Sequence, residues 1–324
     1  MGTLYLDRAN CELELAGSVL TLRMPDAPPR TFPAALLERI VLRADTRLSS
    51  SVLAGLAAHG VGLLVLGGRR GTRVAQLVGA PGKDVRRRIT QVRRLDDDEF
   101  RLLWCRRLVQ AKIGAQRRLI ARAMQVRKDL RKPLFDAASS LTTCATRLAD
   151  AADVASLRGL EGAAAAAYFR AFPALFPPSL GFSTRRRRPP PDPVNACLSL
   201  GYTLLHGIAV EAAHMHGLDP MLGYLHAPCH GRASLAADLV EPWRPRVDAL
   251  VWQLFRSREL EASHFGKDGS GACLLGKGGR SIFYAAWARV SRRLHGALRR
   301  HALLAGRALG DLAPPEEEEE APWA

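Results

Sequence analysis

Apolar and polar positions alternate in short runs along the first 80 residues. Residues 3–6, 12–15 (ELEL), 19–24 (VLTLRM), 37–42 (LERIVL), 61–66 (VGLLVL) and 73–78 (RVAQLV) read as strands. They are bounded by Gly17, Pro28, Pro29 and the Gly67–Gly68 pair, residues that interrupt ladders or supply turns. One segment breaks the period of two. In SVLAGLAAHG the apolar residues fall at helical spacing, Ser49 or Ser50 is placed to cap, and Gly60 is placed to end the helix. Pro81–Gly82 marks a boundary, after which the period changes to 3.6. Ile89, Val92, Leu95, Leu102, Leu103, Val109, Ile113, Leu119 and Ile120 form apolar stripes, and arginines fill the other faces. Further helices are expected over 141–171, 195–216 and 233–264, the last with a break at its prolines near 242–245. Between them RRRRPPPDP (185–193) cannot continue a helix. The pattern predicts an α+β protein: an N-terminal β-rich domain over residues 1–84, a larger all-α domain over 85–315, and a disordered acidic tail over 316–324.

Charge sharpens this picture. The chain has 324 residues and a net charge of +16. The excess is +10 over residues 85–150 and +8 over 151–315, against +3 over 1–84 and −5 in the tail. Helices this basic suit a polyanion, and phosphate backbones neutralise them with counterion release. A solvated basic face is the plainer reading. No uninterrupted apolar run reaches the ~18–20 residues of a membrane span, and the N-terminus lacks the basic and apolar regions of a secretory signal. A cytoplasmic protein, with no membrane among its partners, is therefore expected. Its six cysteines form no CxxC pair, which argues against a zinc ribbon or a disulfide framework.

Three places carry chemistry-bearing residues in unlikely company. Glu161 is the lone acid in LRGLEGAAAAAYFRAF, so it faces solvent or has a cationic partner or a metal. His226 ends GLDPMLGYLH, where a hydrogen-bonded core histidine is the ordinary alternative. Asp238 and Glu241 lie three apart in SLAADLVEPWR, sharing a helical face on which they repel unless a cation sits between them. Glu161, His226, Asp238 and Glu241 together would make an oxygen-and-nitrogen site suited to Mn²⁺ or Mg²⁺. His226, Cys229 and His230 mimic zinc spacing but lack a distant partner pair. The glycine clusters at 67–71 and 276–279 lack phosphate-loop order, and no serine or cysteine lies in a nucleophile signature.

In that order, LRGLEGAAAAAYFRAF, RRRRPPPDPVNACLSLGYTLL and GLDPMLGYLHAPCHGRASLAADLVEPWR resemble the CRISPR-associated spacer-acquisition endonuclease and integrase family. LYLDRANCELEL, SSSVLAGLAAHGVGLLVLG and AKIGAQRRLI extend the resemblance to nearly the whole chain. The resemblance implies that Glu161, His226 and Glu241 are catalytic and, with Asp238, bind Mn²⁺ or Mg²⁺. It also implies an N-terminal domain that mediates a homodimer, and a small second-numbered Cas protein that bridges two dimers. The substrates would be double-stranded and branched DNA. The implied reaction joins the 3′-hydroxyl of a short DNA fragment to a phosphodiester of a CRISPR array. Arg185, Arg186, Arg187, Arg188, Arg232 and Lys277 are the candidate DNA contacts, from charge and loop context. Ala115 stands where the family commonly has asparagine, so no role attaches to it. The alternatives are a non-catalytic basic DNA-binding protein, whose binding needs no divalent ion, and a metal-dependent nuclease of RNA or branched DNA.

Overall fold

The computed structural model describes residues 2–68, 73–78, 85–186 and 189–310. Pro81–Gly82, Arg187, Arg188 and the acidic tail therefore lie outside the described residues.

Two four-stranded sheets form the N-terminal region. The first has the order β1 (Gly2–Leu6), β5 (Leu37–Leu42), β7 (Gly62–Gly67), β8 (Arg73–Leu77); the second runs β4 (Ala27–Pro33), β3 (Val19–Met24), β2 (Cys11–Ala16), β6 (Thr46–Leu48). In β2 the alternation is direct: Cys11 and Leu13 are buried while Glu12 and Glu14 face solvent. β5 pairs in parallel with both β1 and β7 and is buried on both faces, which is why LERIVL reads as a nearly continuous apolar run. Helix α1 (Ser50–Ala58) crosses back between β6 and β7. Ser49 Oγ caps it by accepting from the Val52 amide at 3.4 Å, and Gly60 closes it at φ +67°. Two strands escape the alternation rule. β4 carries Pro28 and Pro29, tolerated because β4 is an edge strand, and β6 is a three-residue edge.

The sheets and α1 enclose a small core that includes Leu13, Leu20, Ile40, Leu56 and Leu63. Val41, Leu64 and Leu66 belong instead to the large core shared with the helices. Arg39 of β5 reaches across this junction. Its guanidinium donates to Glu211 Oε2 at 3.2 Å and to the Gly207 carbonyl at 2.8 Å. The regions are thus joined by apolar packing and by a buried ion pair.

The helices are α2 (Val85–Arg93), α3 (Asp98–Val126), α4 (Arg131–Thr146), α5 (Val154–Ala171), α6 (Pro193–Met215), α7 (Ser234–Val240), α8 (Arg244–Arg256) and α9 (Lys277–Ala308). Asp97, Asp153 and Asp192 cap α3, α5 and α6, each accepting an amide hydrogen three residues on, and Pro193 takes the first turn of α6. The helix expected over 141–171 is interrupted at 147–153. The one expected over 233–264 is divided by a 3-10 turn at Glu241–Trp243 and ends at Arg256. A two-stranded ribbon, β9 (Phe265–Lys267) with β10 (Cys273–Leu275), adds strand to the otherwise helical part. Helix α6 is long and apolar enough to cross a membrane by length and composition, but 67% of that stretch is buried inside the protein. It is the central core helix, packed against α7, α8 and α9.

Candidate metal centre

Glu161 projects from α5 and Glu241 from the turn between α7 and α8, yet both carboxylates meet one ammonium group, that of Lys112 on α3. Arg244 adds a second cation, 3.3 Å from Glu241 Oε1. Glu241 is almost fully buried. Burial alone would push its carboxyl up, but Arg244, Lys112 and, more weakly, His226 hold it down at about 2. The Glu161 side chain retains 24% of its exposure, so this arrangement opens to solvent on the α5 side.

His226 is placed by a tightly folded loop. Gly217 turns the chain at φ +72°, and Gly223 has no room for a side chain: a Cβ there would lie 2.5 Å from the Ser234 carbonyl carbon. Gln91, buried on α2, grips the loop. Its side-chain amide donates to the carbonyls of Asp219 and Leu222 at 2.8 and 2.9 Å, and its carbonyl accepts from the Asp219 amide at 2.8 Å. The loop amides then converge on Asp238. Its Oδ2 accepts from Tyr224 and Leu225 at 2.8 and 3.0 Å; its Oδ1 accepts from the His226 amide at 3.0 Å and from Nδ1 of the same ring at 2.6 Å.

Asp238, expected beside Glu241 in the metal set, has both oxygens accepting from four protein donors and is fully buried. Its geometry is that of a carboxylate behind a histidine, fixing a part-exposed ring whose Nε2 has no partner among the described residues. Glu161, Glu241 and His226 are left as candidate donors, two carboxylates and one imidazole that could hold a hard-to-borderline divalent ion by their chemistry. The carboxylates are already gathered on a single cation, as such an ion would require. Among the described residues, however, no three His, Cys, Asp or Glu side chains stand arranged to hold a metal as they are. Lys112 takes the place between the two acids.

The proposed DNA contacts divide. Arg185 turns inward, donating to Asn195 Oδ1 at 2.9 Å and Ser199 Oγ at 3.1 Å, with its guanidinium 5.3 Å from the Tyr202 ring centre. Arg232 is exposed and directs two of its donors within its own turn, to Ser234 Oγ at 3.1 Å and to the Ala227 carbonyl at 2.5 Å. Arg186 is exposed. Lys277 lines a cleft of about 400 Å³ with Tyr5, Asp7 and Arg8, a set that shares no residue with the acidic site. Cys229 and His230 lie on an exposed turn closed by a Cys229–Arg232 bridge. On α3, Arg107, Arg117, Arg118 and Arg122 are exposed, while Arg106 is consumed by the carbonyls of Leu148 and Ala151 at 3.0 and 2.9 Å.

Sequence reasoning passed over Lys112 and Arg244. A signal for the first was present: Lys112 falls on the face of α3 that carries Leu108, Val109, Ala115 and Leu119, all buried, where a lone cation needs an acid opposite. Arg244 follows Glu241 by three residues, the spacing that pairs side chains on a helix.

Comparison with known proteins places the chain in a family. The chain matches the family described as CRISPR associated protein Cas1 over residues 4–289. A CRISPR-associated endonuclease Cas1 of Thermodesulfovibrio yellowstonii is 34% identical over 287 residues, 88% of this chain and 89% of that protein. The fold is shared with the solved structure of a Cas1 protein from Thermotoga maritima, with TM-score 0.82, 23% identity, and coverage of 98% of this chain and 100% of that one. It is shared also with a casposase bound to integration product, with TM-score 0.81, 22% identity, and coverage of 99% and 96%. With a match spanning nearly the whole chain and this degree of identity to a full-length relative, the chain belongs to the CRISPR associated protein Cas1 family.

Proposed function

We propose that this protein is a metal-dependent DNA endonuclease and integrase of CRISPR adaptation. It joins the 3′-hydroxyl end of a short DNA fragment to a phosphodiester of the array by transesterification. The observation that carries this reading is the convergence of Glu161 and Glu241, 80 residues apart in sequence, on one cation beside a histidine whose ring Asp238 orients. Glu161, Glu241 and His226 Nε2 would hold Mn²⁺ or Mg²⁺. When bound, such an ion supplies positive charge where the phosphoryl group accumulates negative charge. The chain's own work is positioning. Asp238 keeps the imidazole turned outward, Gln91 and Gly223 keep the loop in place, and Arg244 holds Glu241 ionised. No serine or tyrosine nucleophile is required, because the attacking hydroxyl belongs to the DNA and the displaced 3′-oxygen leaves with the cut strand. Exposed arginines of α3 and Arg186 would follow the phosphate backbone and contribute affinity without sequence preference.

The family resemblance supports the remaining parts of the proposal: a cytoplasmic homodimer formed through the N-terminal sheets, bridged to a second dimer by the small second-numbered Cas protein. The test is strand joining on branched DNA in the presence of Mn²⁺. Glu161→Gln and His226→Ala should each lower joining at least ~100-fold, the scale on which charge stabilisation of a transition state is lost, while DNA binding persists. Joining that survives in both variants, or proceeds in EDTA, would sink the site assignment; DNA binding without any joining, with or without Mn²⁺, would favour a non-catalytic DNA-binding protein.

A further inference from the structure

Lys112 is the least expected member of the site. It is buried on the apolar face of α3, and its single ammonium contacts both Glu161 and Glu241. A structural ion pair needs neither feature. An acid held for stability can be paired by an arginine fork, as Glu211 is by Arg39, and it does not need to share its partner with a second acid from another element. The arrangement instead has the form of a divalent site with a monovalent occupant. Two carboxylates are brought together, one buried and one part-exposed, and a flexible four-carbon stem carries the charge that keeps them from repelling. An ammonium and a divalent ion cannot occupy the same place between two carboxylates, since the like charges would repel at contact distance.

The geometry points to Lys112 as a built-in placeholder cation, which holds Glu161 and Glu241 together in the metal-free protein and must be displaced for a divalent ion to bind. This rests on the reading of Glu161, Glu241 and His226 as the metal centre. It adds a role for a residue outside the donor set, and that role sets affinity for the ion. Lysine suits it: its ammonium is a compact point charge on a rotatable stem, with donors that hold no fixed plane, whereas a guanidinium would lock a carboxylate in place. Solvent access on the Glu161 side gives the ion a route in and the lysine head a route out.

The test titrates Mn²⁺ into full-length protein stripped with EDTA, following the free-ion electron paramagnetic resonance signal, for wild type, Lys112→Met, Lys112→Arg and Glu161→Gln. Losing the competitor should tighten Mn²⁺ binding in Lys112→Met by about tenfold or more, which is about 1.4 kcal/mol. Lys112→Arg should bind more weakly than wild type, because the fork is harder to displace. In thermal melts Mn²⁺ should raise the midpoint of Lys112→Met more than that of wild type. Should Lys112→Met not fold without the ion, Lys112→Gln, which keeps a hydrogen-bond donor for the two acids, carries the same titration. Wild type that binds Mn²⁺ at Glu161, with Lys112→Met binding no more tightly, overturns the placeholder role and leaves the metal centre standing. Binding that is absent from wild type and Lys112→Met alike, or that Glu161→Gln leaves unchanged, overturns both.

Discussion

Two buried ionic clusters among the described residues are built on opposite principles. At the junction of sheet and helices, Arg39 grips Glu211 with two nitrogens and spends a further hydrogen bond on the Gly207 carbonyl; Arg299 adds a contact to Glu211 at 3.5 Å. Gly62 and Gly207 leave the space, since a Cβ would lie 2.8 Å from Glu211 Oε2 at one and 3.1 Å from the Arg39 guanidinium at the other. His295 beside this cluster stays neutral, its pKa pushed down to about 3 by burial and by Arg39 and Arg299. Arg299 also reaches Glu38 at 4.0 Å, so the fork of Arg39 on Glu211 is backed by a second guanidinium. At the acidic site, by contrast, no guanidinium fork grips the acids: the single ammonium of Lys112 serves both Glu161 and Glu241, and His226 Nε2 has no partner among the described residues. The first cluster is closed and holds regions together; the second is left open to exchange its cation. Burial of charge therefore says little about function until the completeness of pairing is known.

The largest effect follows from the closed cluster. Arg39→Met removes the two-nitrogen grip on a buried carboxylate and leaves it only the longer contact to Arg299, and should cost about 3 to 5 kcal/mol of stability, measured by urea denaturation. Lys112→Met should cost clearly less, because Arg244 still faces Glu241 and Glu161 can reach solvent. Equal losses in the two variants would erase the distinction between a structural pair and an exchangeable one.

A third acid gives an intermediate case. Asp248 is fully buried and accepts hydrogen bonds from the Tyr168 hydroxyl at 2.8 Å and from the Tyr202 hydroxyl, with no ion pair among the described residues. Tyrosines and more distant arginines offset its burial only in part, so its carboxyl rises from 3.8 to about 6. The folded state thus holds a proton that the unfolded state releases nearer 3.8. The stabilisation this provides is complete below 3.8 and is lost as pH rises through 6. Asp248→Asn, which cannot ionise, should gain on wild type in urea midpoint between pH 4.5 and 7. A difference that stays constant across that range would mean Asp248 is ionised throughout, paired as firmly as Glu211.

Much of this was legible in the sequence, and the exceptions have physical causes. Strands β2, β3, β5 and β7 announce themselves because burial alternates along them or is continuous. β4 hides behind two prolines that only an edge strand accepts, and β6 is too short to show a period. The α9 helix, 32 residues long, has no element assigned to it by pattern: its apolar positions are diluted by glycines and by arginines at 280, 289, 292, 293, 299 and 300. At the site, Glu161, His226, Asp238 and Glu241 stand out as residue types, and motif resemblance gathers them. Their division of labour was not readable. The i, i+3 spacing of Asp238 and Glu241 suggests one shared face, whereas Asp238 is drawn backwards by four donors from the His226 loop, a long-range contact that no local spacing encodes. Lys112 was overlooked because a single cation within a strongly basic stretch carries little contrast.

Completeness of pairing also sorts the arginines, with the smallest of the expected effects. Net charge counts Arg185, Arg186 and Arg232 alike, but only a guanidinium with donors to spare can take a phosphate. Arg185 lies over Tyr202 and is bound to Asn195 and Ser199, and Arg232 closes its own turn, whereas Arg186 is exposed. In DNA-binding titrations across salt concentrations, Arg186→Ala should weaken affinity uniformly over sequences and reduce the slope of log affinity against log salt by about 1. Arg232→Ala should leave that slope unchanged. Arg185→Ala should lower thermal stability instead, because a side chain packed on Tyr202 and donating to two buried or half-buried acceptors is lost with its contacts. If all three variants shift the salt slope equally, the inward contacts of Arg185 and Arg232 yield to DNA, and the open character assigned to the Lys112 site extends across this whole surface.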